Sequence, residues 1–146
     1  MRAAIVVLVI ALALVAGCDS EEAPSEPSRA ATEKRVVRQW ISALNEGDYK
    51  QAARYFAKGA IVDQGQPIKL PDAAAARIFN ASLPCRATLT RVEDEPGPKA
   101  LASFALRAGP GGPCDGAVQV RVTIEDGRFT EWRQLPEAPE PTGPLV

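Results

Sequence analysis

The sequence predicts an α+β domain in which helices come first and antiparallel strands follow. Upstream of Pro84 the apolar residues recur every three to four positions, which is the period of an amphipathic helix. Downstream of Pro84 they alternate with polar residues, as in half-buried strands. Asp126-Gly127, between two alternating stretches, is a strong hairpin signal. A block of helices followed by a block of strands is typical of an α+β fold with helices on one face of the sheet.

The first predicted helix lies in the stretch ATEKRVVRQWISALNE, residues 31–46. Thr32 is its expected N-cap, and Gly47 is its expected stop. Its apolar residues fall on one helical face and should pack in the core: Val36, Val37, Trp40, Ile41 and Leu44.

A second, shorter helix is expected from Tyr49 to Ala57. Asp48 can cap it, and Ala52 and Phe56 share its buried face. After it, residues 60–63 (AIVD) predict a short strand and residues 64–67 (QGQP) a turn.

Asp72 opens an alanine-rich third helix, DAAAARIFNAS. Ile78 and Phe79 are its expected packing residues.

Four strands are expected after Pro84, in residues 85–94, 100–108, 117–126 and 128–135. The third alternates most cleanly, with Val118, Val120, Val122 and Ile124 on one face. Short connections join these strands, so they predict a four-stranded antiparallel meander.

The N-terminus resembles a bacterial lipoprotein signal. Arg2 supplies a positive charge, and residues 3–16 form an apolar run that is too short for a stable transmembrane helix but fits a secretory signal peptide. The run ends in Val15-Ala16-Gly17-Cys18, which resembles the lipobox, where the cysteine is acylated. The alternatives are an ordinary cleaved signal with an incidental cysteine, or a short uncleaved anchor.

The lipobox resemblance implies that Cys18 becomes the first mature residue and carries acyl groups such as palmitate. Two or more acyl chains hold a protein firmly on a bilayer. The expected organisation is a signal peptide at 1–17, a disordered tether at 18–29, a folded domain at 30–135 and a Pro-rich disordered tail at 136–146. The expected location is the extracytoplasmic side of the cell membrane, with the lipid bilayer as a partner through Cys18.

The two remaining cysteines, Cys85 and Cys114, are expected to form a disulfide, because export places them in an oxidising compartment. The alternative is two free buried thiols. The chain has no histidine, so a zinc site built on these cysteines is not expected. No metal or other cofactor is expected.

Composition excludes several classes of function. Without histidine there is no Ser-His-Asp or Cys-His nucleophile, so proton transfer would fall to carboxylates, Lys, Tyr or Cys. Removal of residues 1–17 takes away Arg2 and no acid, which leaves 16 basic and 18 acidic residues, a formal charge of −2. A nucleic-acid binder would show a basic run or stripe, so nucleic acid is not an expected partner.

Three stretches resemble the nuclear transport factor 2-like superfamily, which includes ketosteroid isomerase-like and SnoaL-like proteins. The stretch VVRQWISALNEGDYKQAARYFAKGAIVD, residues 36–63, resembles its opening, and DGRFTEW, residues 126–132, resembles its closing hairpin. The helix-then-meander order between them agrees. The resemblance implies a cone-shaped fold with about three N-terminal helices packed on a curved antiparallel sheet of four to six strands.

The same resemblance bears on catalysis. Members with ketosteroid isomerase or polyketide cyclase activity carry a catalytic aspartate at the end of the first strand. The matching stretch is AIVDQGQ, which puts Gln64 in that position and Asp63 beside it. Scytalone dehydratase-like members use a His-Asp pair, which this chain cannot supply.

Four residues are candidates for a ligand site. Asp63 is the weak candidate for a general base, Tyr55 could orient a carbonyl group, Trp40 could stack on a ligand, and Arg107 could bind an anion. For each, the alternative is a structural role in the core or on the surface. A polar sheet face is also expected, either solvated or pairing with another subunit or an envelope protein; its residues are Gln119, Arg121, Thr123, Glu131 and Arg133.

The function expected from these observations is a membrane-anchored, non-catalytic module that binds a small apolar molecule or a protein. One alternative is an isomerase- or cyclase-type enzyme that uses Asp63. The other is an envelope accessory protein that forms a homodimer or contacts an envelope protein through its sheet face.

Overall fold

The structure is a computed structural model and describes residues 27–136. The expected signal peptide, Cys18, most of the tether and residues 137–146 of the tail lie outside the described residues. The helices and strands follow in the order α1 (Arg29–Glu46), α2 (Tyr49–Ala53), β1 (Phe56–Asp63), β2 (Pro67–Leu70), α3 (Ala73–Ser82), β3 (Arg86–Glu95), β4 (Lys99–Arg107), β5 (Ala117–Glu125) and β6 (Arg128–Gln134).

The six strands form one sheet in the order β2-β1-β6-β5-β4-β3. The predicted meander of β3 to β6 is confirmed, with antiparallel pairing throughout. The sheet differs from the expectation at one seam, because β1 pairs with β6 in parallel. Between β1 and β6 the chain passes through β2, α3 and three further strands. This long connection lets β6 return beside β1 in the same direction, whereas a hairpin would make the two strands antiparallel.

The helix caps explain where the helices begin and end. Helix α1 begins at Arg29, inside the expected tether, because Ser28 rather than Thr32 is the N-cap: Ser28 Oγ accepts a hydrogen bond from the backbone N–H of Ala31 at 3.2 Å. Gly47, with φ of 75°, ends the helix as predicted. The predicted caps of α2 and α3 are confirmed, since Asp48 and Asp72 each accept from a backbone N–H at 2.9 Å.

Helix α2 is shorter than predicted and ends at Ala53. The backbone N–H of Phe129 in β6 donates to the carbonyl of Tyr55 at 2.7 Å, and Phe56 pairs with Phe129. Sheet pairing therefore takes over a stretch that has helical spacing. Strand β2, in a segment predicted as turn and loop, was missed for the same reason: its pairing with β1 is a tertiary contact.

The core lies between the helices and the inner face of the sheet, around Trp40. The Trp40 ring meets four aromatic rings edge-on, at centroid distances of 5.5–6.3 Å: Phe56, Phe104, Phe129 and Trp132. Such edge-to-face pairs add about 0.5–1.5 kcal/mol each beyond the burial of their area. On α3, Phe79 is buried as predicted. Ile78 was wrongly predicted to pack, because it points outward and is 67% exposed.

Two contacts fix the start of edge strand β3 in place. The predicted disulfide between Cys85 and Cys114 is confirmed, with Cα atoms 5.8 Å apart. Asn45 on α1 brackets the backbone of Ala87 on β3: its Oδ1 accepts from the Ala87 N–H at 3.0 Å, and its Nδ2 donates to the Ala87 carbonyl at 2.8 Å. Edge strand β3 is thereby tied both to α1 and to the loop before β5.

Candidate ligand-binding cavity

A cavity of about 250 Å³ lies between α1 and the inner face of the sheet. The exposed residues Gln64, Pro84 and Gln134 mark its open end. The remaining wall is apolar apart from the disulfide sulfur, and consists of Trp40, Ile41, Leu44, Leu83, Cys85, Ala87, Phe104, Leu106, Val118, Val120 and Trp132.

Alternation along the strands puts these side chains inside. At the end of β1, Val62 is buried and Asp63 points to the outer face; Gln64, the first residue after the strand, turns back toward the cavity. In β6, Trp132 and Gln134 share the inner face because they are two residues apart. The parallel pairing of β1 with β6 brings the two glutamines together, and Gln64 Nε2 donates to Gln134 Oε1 at 3.2 Å.

Polar groups in the cavity wall are few. The glutamine pair stands at the open end, where it could exchange its mutual hydrogen bond for one to a ligand. Trp132 also lines the cavity, but its Nε1–H is buried away from the cavity space and has no hydrogen-bond acceptor among residues 27–136. An unpaired buried donor costs roughly 1–3 kcal/mol.

The cavity wall carries no acid–base group. Among the residues that line it there is no Asp, Glu, Lys, Arg or Tyr, and its cysteine is in the disulfide. Glutamine does not titrate, so Gln64 cannot accept a proton as the aspartate of ketosteroid isomerase-like proteins does. The arrangement can enclose an apolar molecule and offer it hydrogen bonds.

The structure places the four sequence candidates apart from one another. Trp40 lines the cavity, but its Nε1–H already donates to Asn80 Oδ1 at 2.8 Å. Tyr55 lies outside the cavity wall, and its hydroxyl accepts a 3.4 Å hydrogen bond from Gln51 Nε2. Arg107 lies outside it as well, in a separate groove between α1 and β3.

Asp63 faces away from the cavity, and its carboxylate is already engaged on the outer sheet face. Oδ2 accepts from Arg133 Nη1 at 2.9 Å, and Oδ1 accepts from the Gly65 N–H at 2.9 Å. The carboxylate is therefore held by an arginine 70 positions away along the chain, which lies directly opposite Asp63 in the parallel register of β1 and β6.

The outer sheet face is charged and internally paired. Arg121 on β5 makes a forked contact with the Glu95 carboxylate, at 2.6 and 2.8 Å, and this hydrogen bonding lowers the pKa of Glu95. Arg133 bonds Glu131 as well as Asp63, and its hydrogen bond lowers the pKa of Glu131. These pairs leave a polar face, as the sequence predicts for β5 and β6.

Several cavity residues were missed by sequence reasoning, namely Gln134, Trp132, Leu106 and Val120 among others. The alternating pattern of β6 contained the signal for two of them, because it places Trp132 and Gln134 on the same face as the core. That Gln134 meets Gln64 depends on the parallel seam, for which the sequence holds no local signal.

A cone-shaped α+β protein with a six-stranded sheet and an apolar cavity beneath it is the class that this fold and site define. More specifically, the fold is the nuclear transport factor 2-like fold, as comparison with solved structures shows.

Three solved structures illustrate the likeness. A candidate ketosteroid isomerase from Kribbella flavida superposes with a TM-score of 0.60 at 24% identity, over 79% of this chain and 87% of that one. A candidate polyketide cyclase from Sinorhizobium meliloti gives 0.58 at 20% identity, over 71% and 98%. A nuclear transport factor 2-like protein of unknown function from Burkholderia pseudomallei gives 0.57 at 13% identity, over 71% and 89%.

Sequence comparison adds nothing to this. No protein-family model matches the chain, and no curated protein matches it significantly. Within residues 27–136, no helix has both the length and the apolar character needed to cross a bilayer.

Proposed function

We propose that this protein is a membrane-anchored extracytoplasmic lipoprotein whose domain binds a small apolar molecule without transforming it. The observation that carries the proposal is the apolar cavity of about 250 Å³, whose described wall contains no titratable side chain. An apolar cavity of about 150 Å³ in another protein holds benzene. The volume here therefore suits a compact molecule of about one to two rings, smaller than the ligands that fill pockets of about 300–1,000 Å³.

The wall also indicates the polarity of the ligand. Gln64 and Gln134 offer both donors and acceptors at the open end of an otherwise apolar wall. A ligand with an apolar body and one carbonyl or hydroxyl group would match this distribution, because a polar group held by the glutamines stays hydrogen-bonded on entry.

Membrane anchoring rests on the lipobox-like stretch that ends in Cys18. Nine residues separate Cys18 from the N-cap Ser28, so the folded domain would lie within about 35 Å of an acylated cysteine. The disulfide between Cys85 and Cys114 supports an oxidising compartment, which agrees with export.

Anchoring is tested by expressing the full chain in a bacterium fed an alkyne-bearing fatty acid. Wild type and Cys85→Ser should take up the label and sediment with membranes, and Cys18→Ser should do neither. The Cys85 variant is the control, because it also replaces one cysteine by serine but leaves the lipobox-like stretch intact. Labelling that survives in Cys18→Ser would contradict the lipobox interpretation.

Ligand binding is tested by native mass spectrometry of the full-length protein released from detergent. A retained small molecule is expected in wild type and should be absent in Val118→Phe, which adds a ring to the cavity wall. Val92→Phe is the control, because Val92 is also half-buried but lies outside the cavity. Equal ligand retention in both variants, or none in wild type, would contradict the proposal.

The alternative is an isomerase- or cyclase-type enzyme that uses Asp63, and the names of the Kribbella and Sinorhizobium structures favour it. It would require the Asp63 side chain to leave Arg133 and turn around the end of β1 toward the cavity. Asp63→Asn would abolish turnover of an enolisable ketone if this alternative held, and would leave ligand retention unchanged under the binding proposal.

The third interpretation is an accessory protein that dimerises or contacts an envelope protein through the outer sheet face. Arg121→Glu places a second negative charge beside Glu95 on the outer sheet face. It would dissociate such a complex while leaving the cavity intact. Sedimentation velocity of wild type and Arg121→Glu distinguishes a dimer from the binding proposal. A wild type that is monomeric and binds ligand supports the binding proposal alone.

A further inference from the structure

A second concave site lies on the opposite side of α1 from the aromatic cluster, between α1 and edge strand β3. We call it the basic groove. Its volume is about 620 Å³, and it is lined by Lys34, Arg38, Ile41, Ser42, Asn45, Ala87, Thr88, Leu89, Thr90, Arg91, Val92 and Arg107. Four of these side chains are cationic and none is acidic, although the whole chain has a formal charge of −1.

The cations flank the groove from two directions, from α1 and from around edge strand β3. Lys34 and Arg38 are four residues apart on α1, so they share one helical face and are neighbours. Arg91, just after the bulge at Thr90, pairs with Ser103, and Arg107 pairs with Arg86, so both side chains leave the sheet on its outer face. They line the groove from around edge strand β3. The helix wall from Lys34 to Asn45 is about 17 Å long at 1.5 Å per residue. The strand wall from Ala87 to Val92 has about the same length.

Most of this charge is not neutralised by residues 27–136. Three of the cations form no ion pair with any of those residues, and all three are exposed: Lys34, Arg38 and Arg107. Arg91 pairs with Glu93 at 2.9 Å, but both side chains are largely exposed, so the pair is weak and can be exchanged for another anion. As far as residues 27–136 are concerned, the charge is therefore available to a ligand.

The shape and the wall chemistry narrow the ligand class. Guanidinium groups bind phosphate and carboxylate oxygens through two parallel hydrogen bonds. The groove is open to solvent and about 17 Å long, so an extended chain can lie along it. Ile41, Ala87, Leu89 and Val92 provide apolar contact for the chain between its charges. No aromatic side chain lines the groove, so it lacks the stacking platforms that hold nucleic-acid bases.

We propose that the basic groove binds a linear polyanion, a chain that carries phosphate or carboxylate groups at intervals along about 17 Å. This site is separate from the cavity and does not depend on the function proposed for it, although Ile41 and Ala87 contribute to both walls. The anionic groups are bound by Lys34, Arg38 and Arg107. The apolar side chains between them, Ile41, Ala87, Leu89 and Val92, contact the chain between its charges.

The test uses the full-length protein in a zwitterionic detergent and two fluorescent probes, a short inorganic polyphosphate and a galacturonate oligomer. Lys34→Glu/Arg38→Glu removes groove charge. Lys50→Glu/Lys58→Glu makes the same change in net charge at exposed positions outside the groove. For at least one probe, the groove variant should bind at least tenfold more weakly than wild type by fluorescence anisotropy, and the control within twofold. Affinity should fall as salt is raised.

Two further measurements sharpen the outcome. Arg107→Ala, at the far end of the groove, should weaken binding severalfold and shorten the oligomer that binds best. Micelles that contain phosphatidylglycerol should compete poorly with the probe. Equal loss in the groove and control variants, no binding of either probe at low salt, or groove-dependent binding of phosphatidylglycerol micelles alone would each overturn the proposal, the last by assigning the groove to a lipid surface.

Discussion

The indole Nε1–H of Trp40 donates a 2.8 Å hydrogen bond to Oδ1 of Asn80, and both side chains are buried. Asn80 in turn donates through Nδ2 to the carbonyl of Ala76 at 2.8 Å. This pair ties α3 to the residue at the centre of the aromatic cluster, so that Trp40 presents an apolar ring, and no free polar group, to the cavity.

Asn80→Ala should lower the free energy of unfolding by about 2–4 kcal/mol. The substitution leaves the Trp40 donor unpaired inside the core, which costs about 1–3 kcal/mol, and it also leaves a void. Urea unfolding followed by tryptophan fluorescence measures the change. Arg77→Ala, at an exposed position on the same helix, is the control and should shift stability by less than about 0.5 kcal/mol. A loss below 1 kcal/mol in Asn80→Ala would show that the hydrogen bond is not needed.

Removal of the disulfide should destabilise the domain by about 3–4 kcal/mol. Cys85 and Cys114 are 29 positions apart, and closing a loop of that size lowers the entropy of the unfolded chain by this amount at 25 °C. Thermal unfolding of Cys85→Ser/Cys114→Ser should match that of reduced wild type, and a reductant should not shift the double variant further. A reductant-sensitive melting temperature in the double variant would contradict the assignment.

The loop that carries Cys114 packs too closely on Pro84 to accept a side chain at Gly111. A Cβ atom there would stand 2.5 Å from Cβ of Pro84, and the Gly111 N–H donates to the Pro84 carbonyl at 2.9 Å. Gly111→Ala should therefore cost about 1–3 kcal/mol through overpacking. Pro110→Ala in the same exposed loop is the control. If Gly111→Ala and Pro110→Ala unfold at the same urea concentration, the close packing of this loop on Pro84 is wrong.

Acid should weaken the domain partly through Glu95. The Arg121 hydrogen bonds lower the pKa of Glu95 in the folded state, so this carboxylate contributes stability above its unfolded pKa of about 4.3–4.5. That contribution is lost as pH falls through the lower folded pKa. Arg121 is 41% exposed, so solvent screening limits the effect to at most about 1 kcal/mol.

Arg121→Gln should accordingly lose stability at pH 7 and show a shallower decline between about pH 5 and pH 3 than wild type. Arg128→Gln removes the same charge from an exposed site on β6 and should keep the wild-type slope. The comparison is made by urea unfolding at each pH. Parallel curves for Arg121→Gln and wild type would mean that the forked pair does not form in solution.

Much of the fold could be predicted because it depends on local signals. The capping aspartates, the apolar stripe of α1 and the alternation of β5 are set by neighbours within a few positions, and each appears in the structure. The disulfide also could be predicted, because export and an even number of remaining cysteines leave one pairing. The cavity could be anticipated only in part, through Trp40 and the position of Gln64.

What the sequence determined by itself is the α+β class, the order of the three helices and of the four-stranded meander after them, and the absence of histidine chemistry. The tertiary structure decided which way the two polar residues at the end of β1, Asp63 and the following Gln64, face. The parallel pairing with β6 turns Asp63 outward to Arg133 and Gln64 inward to Gln134, and a shift of one residue would have exchanged them. This register joins residues 70 positions apart, and no local pattern specifies such a contact because its energy depends on the partner strand.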